Sequence, residues 1–309
     1  MAKFLSEAPV VWNLLNGVVC LYKSAGESAR RVRGSFLHKL CLELNALEVR
    51  PPSTYVAIEG ATNEEMSVTV RPSFADDPLV VGPRYRSEDF KAIWATKLGY
   101  NTSGVFVIGL NAGTRKAFAI HSAHPIRTYR LKGCFGQATD NIFKTGKLIE
   151  TKSFYHVRRG GIERHLAMVQ ASHQKLAYES AGVDPQSQEA YELAVKGLVR
   201  PQDSKTPIIY GAKCINYSPP EFTIEISCIN EYEDYLLGQI HNMGEKLHCP
   251  AMCTSIQCIH HSFFTMEDAL LKKHWTLQDV IANLANNNRL LRKQGRLSEN
   301  INKYIARAE

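Results

Sequence analysis

The sequence contains no apolar run of about 18 residues, so nothing in it reads as a membrane-spanning helix. It has no Gly/Ser-rich or Pro-rich linker, no internal repeat and no low-complexity tract, and so no sign of a string of modules. The glycine patterns of the P-loop and of Gly-x-Gly-x-x-Gly are missing, as is His-Glu-x-x-His. These absences remove the usual nucleotide-binding and zinc-hydrolase readings. Among the first 29 residues the cations are Lys3 and Lys23, set against Glu7 and Glu27, which is little support for an Arg-rich presequence. Eight scattered cysteines with no signal peptide ahead of them imply a reducing compartment and free thiols.

What is present is an ordinary globular composition, 44% hydrophobic and 22% charged. The 309 residues suffice for one large domain or two small ones. The net charge is +7, a moderate basic bias compatible with a polyanionic partner.

Periodicity gives a coarse map. Residues 17–22 read as a strand, and 27–47 as a helix with Val32, Phe36, Leu40 and Leu44 on one face. Strands at 54–59 and 66–71 flank a Gly60-Ala61-Thr62-Asn63 turn, in the manner of a hairpin. A short strand is expected at 78–81, a polar loop over 82–96, and a helix over 113–120. Residues 126–136 alternate, with Ile126, Thr128, Arg130 and Lys132 on one face and Arg127, Tyr129 and Leu131 on the other. A turn-rich connection follows, then short helices at 161–170 and 185–198. Two long strands at 207–216 and 221–229, a helix at 233–247 and a strand at 252–259 complete the body. Thr276-Leu277-Gln278-Asp279 looks like a capping box, and residues 272–309 hold eight Lys/Arg against three Asp/Glu. The expectation is an α+β fold with a mixed, mostly antiparallel sheet, flanking helices and a helical C-terminal tail. Residues 1–271 would form the catalytic-fold domain and 272–309 a basic helical extension.

The stretch that carries chemistry is 95–109, Ala-Thr-Lys-Leu-Gly-Tyr-Asn-Thr-Ser-Gly-Val-Phe-Val-Ile-Gly. Its second half is a buried-strand run between Gly104 and Gly109; its first half is a polar loop feeding that strand. The pattern resembles the catalytic motif of the TruB-type pseudouridine synthases, G-x-x-x-R-L-D-x-x-x-S-G-x-L, through Lys97, Leu98, Ser103 and Gly104. Other segments are similar in the same order. Leu21 to Gly26 stands for the family's K-P-x-G, and Arg127-Thr128-Tyr129 with Gly133 through Asp140 for K-x-Y…G-x-x-T-D. Residues 170–174 and 188–194 stand for its glutamine turn and A-Y-x-x-A-R helix, and Cys228 begins its C-S-K-G-T-Y-I-R. The likeness is greatest to the animal mitochondrial branch, through 173–175, 188–201 and 219–222.

The resemblance implies conversion of uridine in RNA to pseudouridine on a flipped-out base, without metal or cofactor. The family's essential aspartate is Gly99 here. A glycine can neither attack carbon nor hold a proton. Loss of an essential nucleophile costs on the order of 10⁶ in rate elsewhere. Tyr129 matches the tyrosine that stacks on the base, while the family's later tyrosine and arginine fall on Glu233 and Tyr235. Lys23, Arg30, Arg31, Arg33, Arg127 and Lys132 are the candidate RNA-phosphate contacts. The favoured expectation is an RNA-binding family member with catalysis lost. The alternatives are a synthase using another carboxylate, Glu88 or Asp89, and a structural or assembly subunit. The partner would be mitochondrial mRNA, tRNA or rRNA, within a ribonucleoprotein. The compartment implied is the mitochondrion, with nucleus or cytoplasm as alternatives.

One further cluster, His248, Cys249, Cys253, Cys258, His260 and His261, lacks a zinc-finger spacing. It reads as a strand with buried thiols.

Overall fold

The computed structural model describes residues 7–48, 53–61, 63, 65–74, 78–95, 97–201 and 206–305. Helix α1 (Ala8–Leu14) begins with proline in its first turn, where no N–H is needed. Strand β1 (Gly17–Lys23) is buried along nearly its whole length. Helix α2 (Ala29–Asn45) starts at Ser28, whose hydroxyl accepts from the Arg31 N–H, and buries Val32, Phe36, Leu40 and Leu44. Strands β2 (Thr54–Glu59) and β3 (Ser67–Pro72) pair as a separate hairpin. The segment expected as a strand at 78–81 is instead a single helical turn, α3 (Pro78–Val81). Four residues are too few for strand and helix periods to differ, and proline suits a first turn.

The expected loop over 82–96 contains the short strand β4 (Ala92–Trp94), ahead of β5 (Thr102–Leu110) and α4 (Thr114–Ser122). Strand β6 (Arg127–Phe135) alternates as its sequence requires, with Arg127, Tyr129 and Leu131 on the buried face and Lys132 exposed. The turn-rich connection after it holds a small pair, β7 (Gln137–Thr139) and β8 (Leu148–Thr151). Helix α5 (Arg159–Ser180) is more than twice the expected length, and α6 (Gln188–Lys196) follows. Then come β9 (Ile208–Ser218), β10 (Glu221–Ile229), α7 (Glu233–Lys246), β11 (Ala251–His261), β12 (Phe264–Thr265) and α8 (Leu277–Ile305).

The main sheet runs β1-β5-β11-β6-β10-β9, with β4 added on β5 and β12 on β11. Its pairings are antiparallel except β5 with β11, which are parallel over Thr102–Gly104 and Ile256–Cys258. The fold is therefore α+β with a mostly antiparallel sheet. One line of cross-strand partners joins Lys23, Gly104, Cys258, Tyr129 and Ile226. Gly104 on that line has φ +116°, and a Cβ there would lie 2.0 Å from the Cys258 carbonyl oxygen. Only glycine lets β5 approach β11 so closely.

Residues 275–287, within the expected C-terminal extension, pack into the same core as β1: Trp275, Leu277, Val280 and Leu284 are buried. The extension also covers the open edge of β1, which would otherwise present unpaired backbone groups. Asn283 Oδ1 accepts from the Cys20 N–H at 3.0 Å. Asn287 donates to the Val18 carbonyl at 3.0 Å and to Asn283 Oδ1 at 2.7 Å. Asn287→Ala removes both bonds at a fully buried position. It is expected to lower stability by about 1–3 kcal/mol in urea unfolding; a variant as stable as wild type would contradict this account of the edge.

Candidate nucleic-acid site around Gly99

The loop 97–101 enters β5 and is pinned from two sides. On one side stands Lys23, at the end of β1 and fully buried. Its Nζ donates to the carbonyls of Ser24 at 3.0 Å, Tyr100 at 3.2 Å and Thr102 at 2.7 Å. Burial lowers its pKa to about 8, against the opposing pull of Glu233 and Glu27. The Gly26 N–H also donates to the Tyr100 carbonyl, at 2.9 Å.

On the other side stands Glu233, the first residue of α7. Its Oε1 accepts from the Asn101 N–H and side-chain amide, both at 3.1 Å. Its Oε2 accepts from the Thr102 N–H at 2.9 Å and the Thr102 hydroxyl at 2.7 Å. A Cβ placed on Gly99 would lie 1.9 Å from Glu233 Oε2, and its three nearest atoms would all belong to Glu233. The space beside Gly99, where a side chain at that position would begin, is filled by the carboxylate of Glu233. Of the other carboxylates considered, Glu88 and Asp89 are exposed, and Asp89 accepts from the Arg86 N–H of its own turn at 2.7 Å.

Two residues before Glu233, Glu231 points into the sheet. Its side chain is fully buried against Arg127, Nε to Oε1 2.5 Å. The Arg127 guanidinium lies 6.0 Å from the Tyr129 ring centre. Burial pushes the Glu231 carboxyl pKa up, with Arg127 and Tyr129 opposing it. Burial likewise raises the Tyr129 phenol.

The candidate phosphate contacts therefore separate. Lys23 and Arg127, candidates for phosphate contact, are buried with internal partners. Their charge is legible in sequence; the carbonyls and carboxylate that hold it are not. Arg33 lies 4.9 Å over the Trp94 ring and donates to the Ala92 carbonyl at 3.4 Å. Arg30, Arg31 and Lys132 are exposed, as is Lys97 of the motif. Tyr129, matched to the base-stacking position, is 2% exposed and stands inside the core. Tyr100, next to Gly99 in the chain, and Tyr232, next to Glu233, are each 59% exposed. Sequence reasoning missed both, as well as the contact of Glu233 with Gly99. Its one available signal was that the motif departs from the family at Gly99 and at Glu233 together.

The loop carrying Lys97 and Leu98 thus enters β5 at Ser103 and Gly104, within a mostly antiparallel α+β sheet. The TruB family pseudouridylate synthase (N terminal domain) profile matches residues 88–232. The chain is 36% identical over 287 residues to the mitochondrial pseudouridylate synthase TRUB2 of Xenopus tropicalis, covering 91% of this chain and 87% of that protein. It is 34% identical over 273 residues to the Homo sapiens protein of the same name, covering 86% and 82%. An archaeal box H/ACA sRNP Nop10-Cbf5 complex superposes on 89% of this chain and 60% of the matched chain, at TM-score 0.47 and 11% identity. The chain belongs to the TruB family of pseudouridine synthases.

Proposed function

We propose that the chain is an RNA-binding member of this family in which isomerisation of uridine is impaired. The observation that supports the reading is Glu233. Among the described residues it is the carboxylate that fills the space beside Gly99, and both its oxygens already accept two hydrogen bonds. A carboxylate whose acceptor sites are engaged by four donors has no free lone pair to offer a substrate. Its place at the foot of α7 makes it a clamp on the loop. The net charge of +7 and the exposed Arg30, Arg31, Lys97 and Lys132 suit a salt-sensitive contact with RNA phosphates. The names of the Xenopus and human relatives point to the mitochondrion as the compartment, and to mitochondrial RNA as the partner.

The second reading, a synthase that uses Glu233 itself, is favoured by the same contact, since it brings a carboxylate to this loop. The test is to incubate the purified chain with mitochondrial and transfer RNA and quantify pseudouridine by mass spectrometry. The expected result is RNA retained and no pseudouridine above the blank. Pseudouridine made by wild type and abolished in Glu233→Gln would overturn the proposal and assign the chemistry to Glu233.

A further inference from the structure

Tyr100 follows Gly99 directly, and Tyr232 precedes Glu233 directly. The four hydrogen bonds of Glu233 to Asn101 and Thr102 hold these two segments together. Each tyrosine is therefore one residue from a clamped contact, and each residue is 59% exposed. Their backbones are fixed. The Tyr100 carbonyl accepts from Lys23 and Gly26, and Tyr232 is the extended residue that starts α7. The Tyr232 ring also rests 5.9 Å from that of Tyr235, whose hydroxyl is hydrogen-bonded to His173 at 3.0 Å.

We propose that Tyr100 and Tyr232 form a stacking platform for unpaired bases of an RNA strand, at the mouth of the Gly99–Glu233 contact. The inference rests on the RNA-binding reading and assigns its base contact. Exposed aromatic rings on an ordered backbone lose little freedom on binding, and every base offers a face to stack on. Cations complete the surface. Lys97 lies in the same loop, and Arg30 and Arg31 open α2 just after the Gly26 turn that is bonded to Tyr100. A single strand fits better than a duplex, whose bases are already stacked.

The test measures binding of a fluorescein-labelled oligouridine strand by anisotropy, at two salt concentrations, for the full chain. Tyr100→Ala and Tyr232→Ala are each expected to weaken binding by about five- to hundredfold, the range set by one lost base stack. The dependence on salt should stay as in wild type, because no phosphate contact is removed. Tyr100→Phe and Tyr232→Phe should bind as wild type, which separates stacking from a folding defect. A strand bound by wild type and equally well by both alanine variants would overturn the platform while leaving RNA binding intact. A wild-type chain that binds no RNA would overturn both.

Discussion

Gly99→Asp, the substitution that restores the family's aspartate, is expected to give no pseudouridine and a less stable protein. The first carbon of the new side chain falls 1.9 Å from Glu233 Oε2 and 2.6 Å from Glu233 Cβ. Contacts that short force one group to move. Glu233 cannot leave without stripping the acceptors from the Asn101 and Thr102 N–H groups and the Thr102 hydroxyl. If both groups stay, two carboxylates share one place and repel, by roughly 4 kcal/mol at 4 Å separation and an effective dielectric of 20. The expected loss in urea unfolding is about 2 kcal/mol or more. Glu233→Ala alone also destabilises, by about 1–3 kcal/mol through the unpaired donors. The two changes should not add: in the double variant the aspartate enters a vacated space. A coupling energy above about 1 kcal/mol in the cycle of wild type, both single variants and the double would establish the exchange. Additive losses would show that the two positions are independent.

The second large effect is expected at Arg127. Arg127→Met leaves Glu231 in the core without its cation, and breaking such a pair from one side costs about 3–5 kcal/mol. Replacing both, as Arg127→Met with Glu231→Leu, should restore most of the loss, because neither partner then remains as an unpaired buried charge. The single variant should also respond to pH in a stated direction. Burial already raises the Glu231 pKa, and removing Arg127 takes away its largest opposing influence. The folded state then holds a proton on Glu231 at pH values where the unfolded chain has released it. Stability of Arg127→Met therefore falls as pH rises through that window and recovers on acidification. Urea midpoints at pH 5 and pH 8 read this directly. A midpoint unchanged between the two would contradict the buried, unpaired carboxylate.

Much of the fold is legible in the sequence because its signals are local. The glycine-bounded run Val105–Ile108, the 3.6-residue spacing of Val32, Phe36, Leu40 and Leu44, and the alternation from Arg127 to Leu131 each need only a short window. Helix α5 is underestimated because its second half, from Ala171 to Ser180, carries few apolar residues; only Ala177 there is buried. The strand β4 has only three residues, too few for a period to show, and forms because β5 offers it a partner. The candidate site divides in the same way. Gly99 and the surrounding motif are visible directly. The hydrogen bonds that make it a clamped loop are not, since Glu233 reaches Thr102 across 131 positions. Charge marked Lys23 and Arg127 as candidates, but only their partners decide whether a cation faces RNA or the interior.

The strand order has a consequence for the ribosome. β5 can pair early in synthesis with β1 and, from Ile108 to Leu110, with β4, but its stretch Thr102–Gly104 pairs with β11, and the clamp on its entry loop comes from α7. Until those late segments emerge, the nascent chain carries a half-covered strand with an open side, a slow and exposed arrangement typical of distant pairings. The loop at Gly99 is thus translated well before the segments that give it its shape.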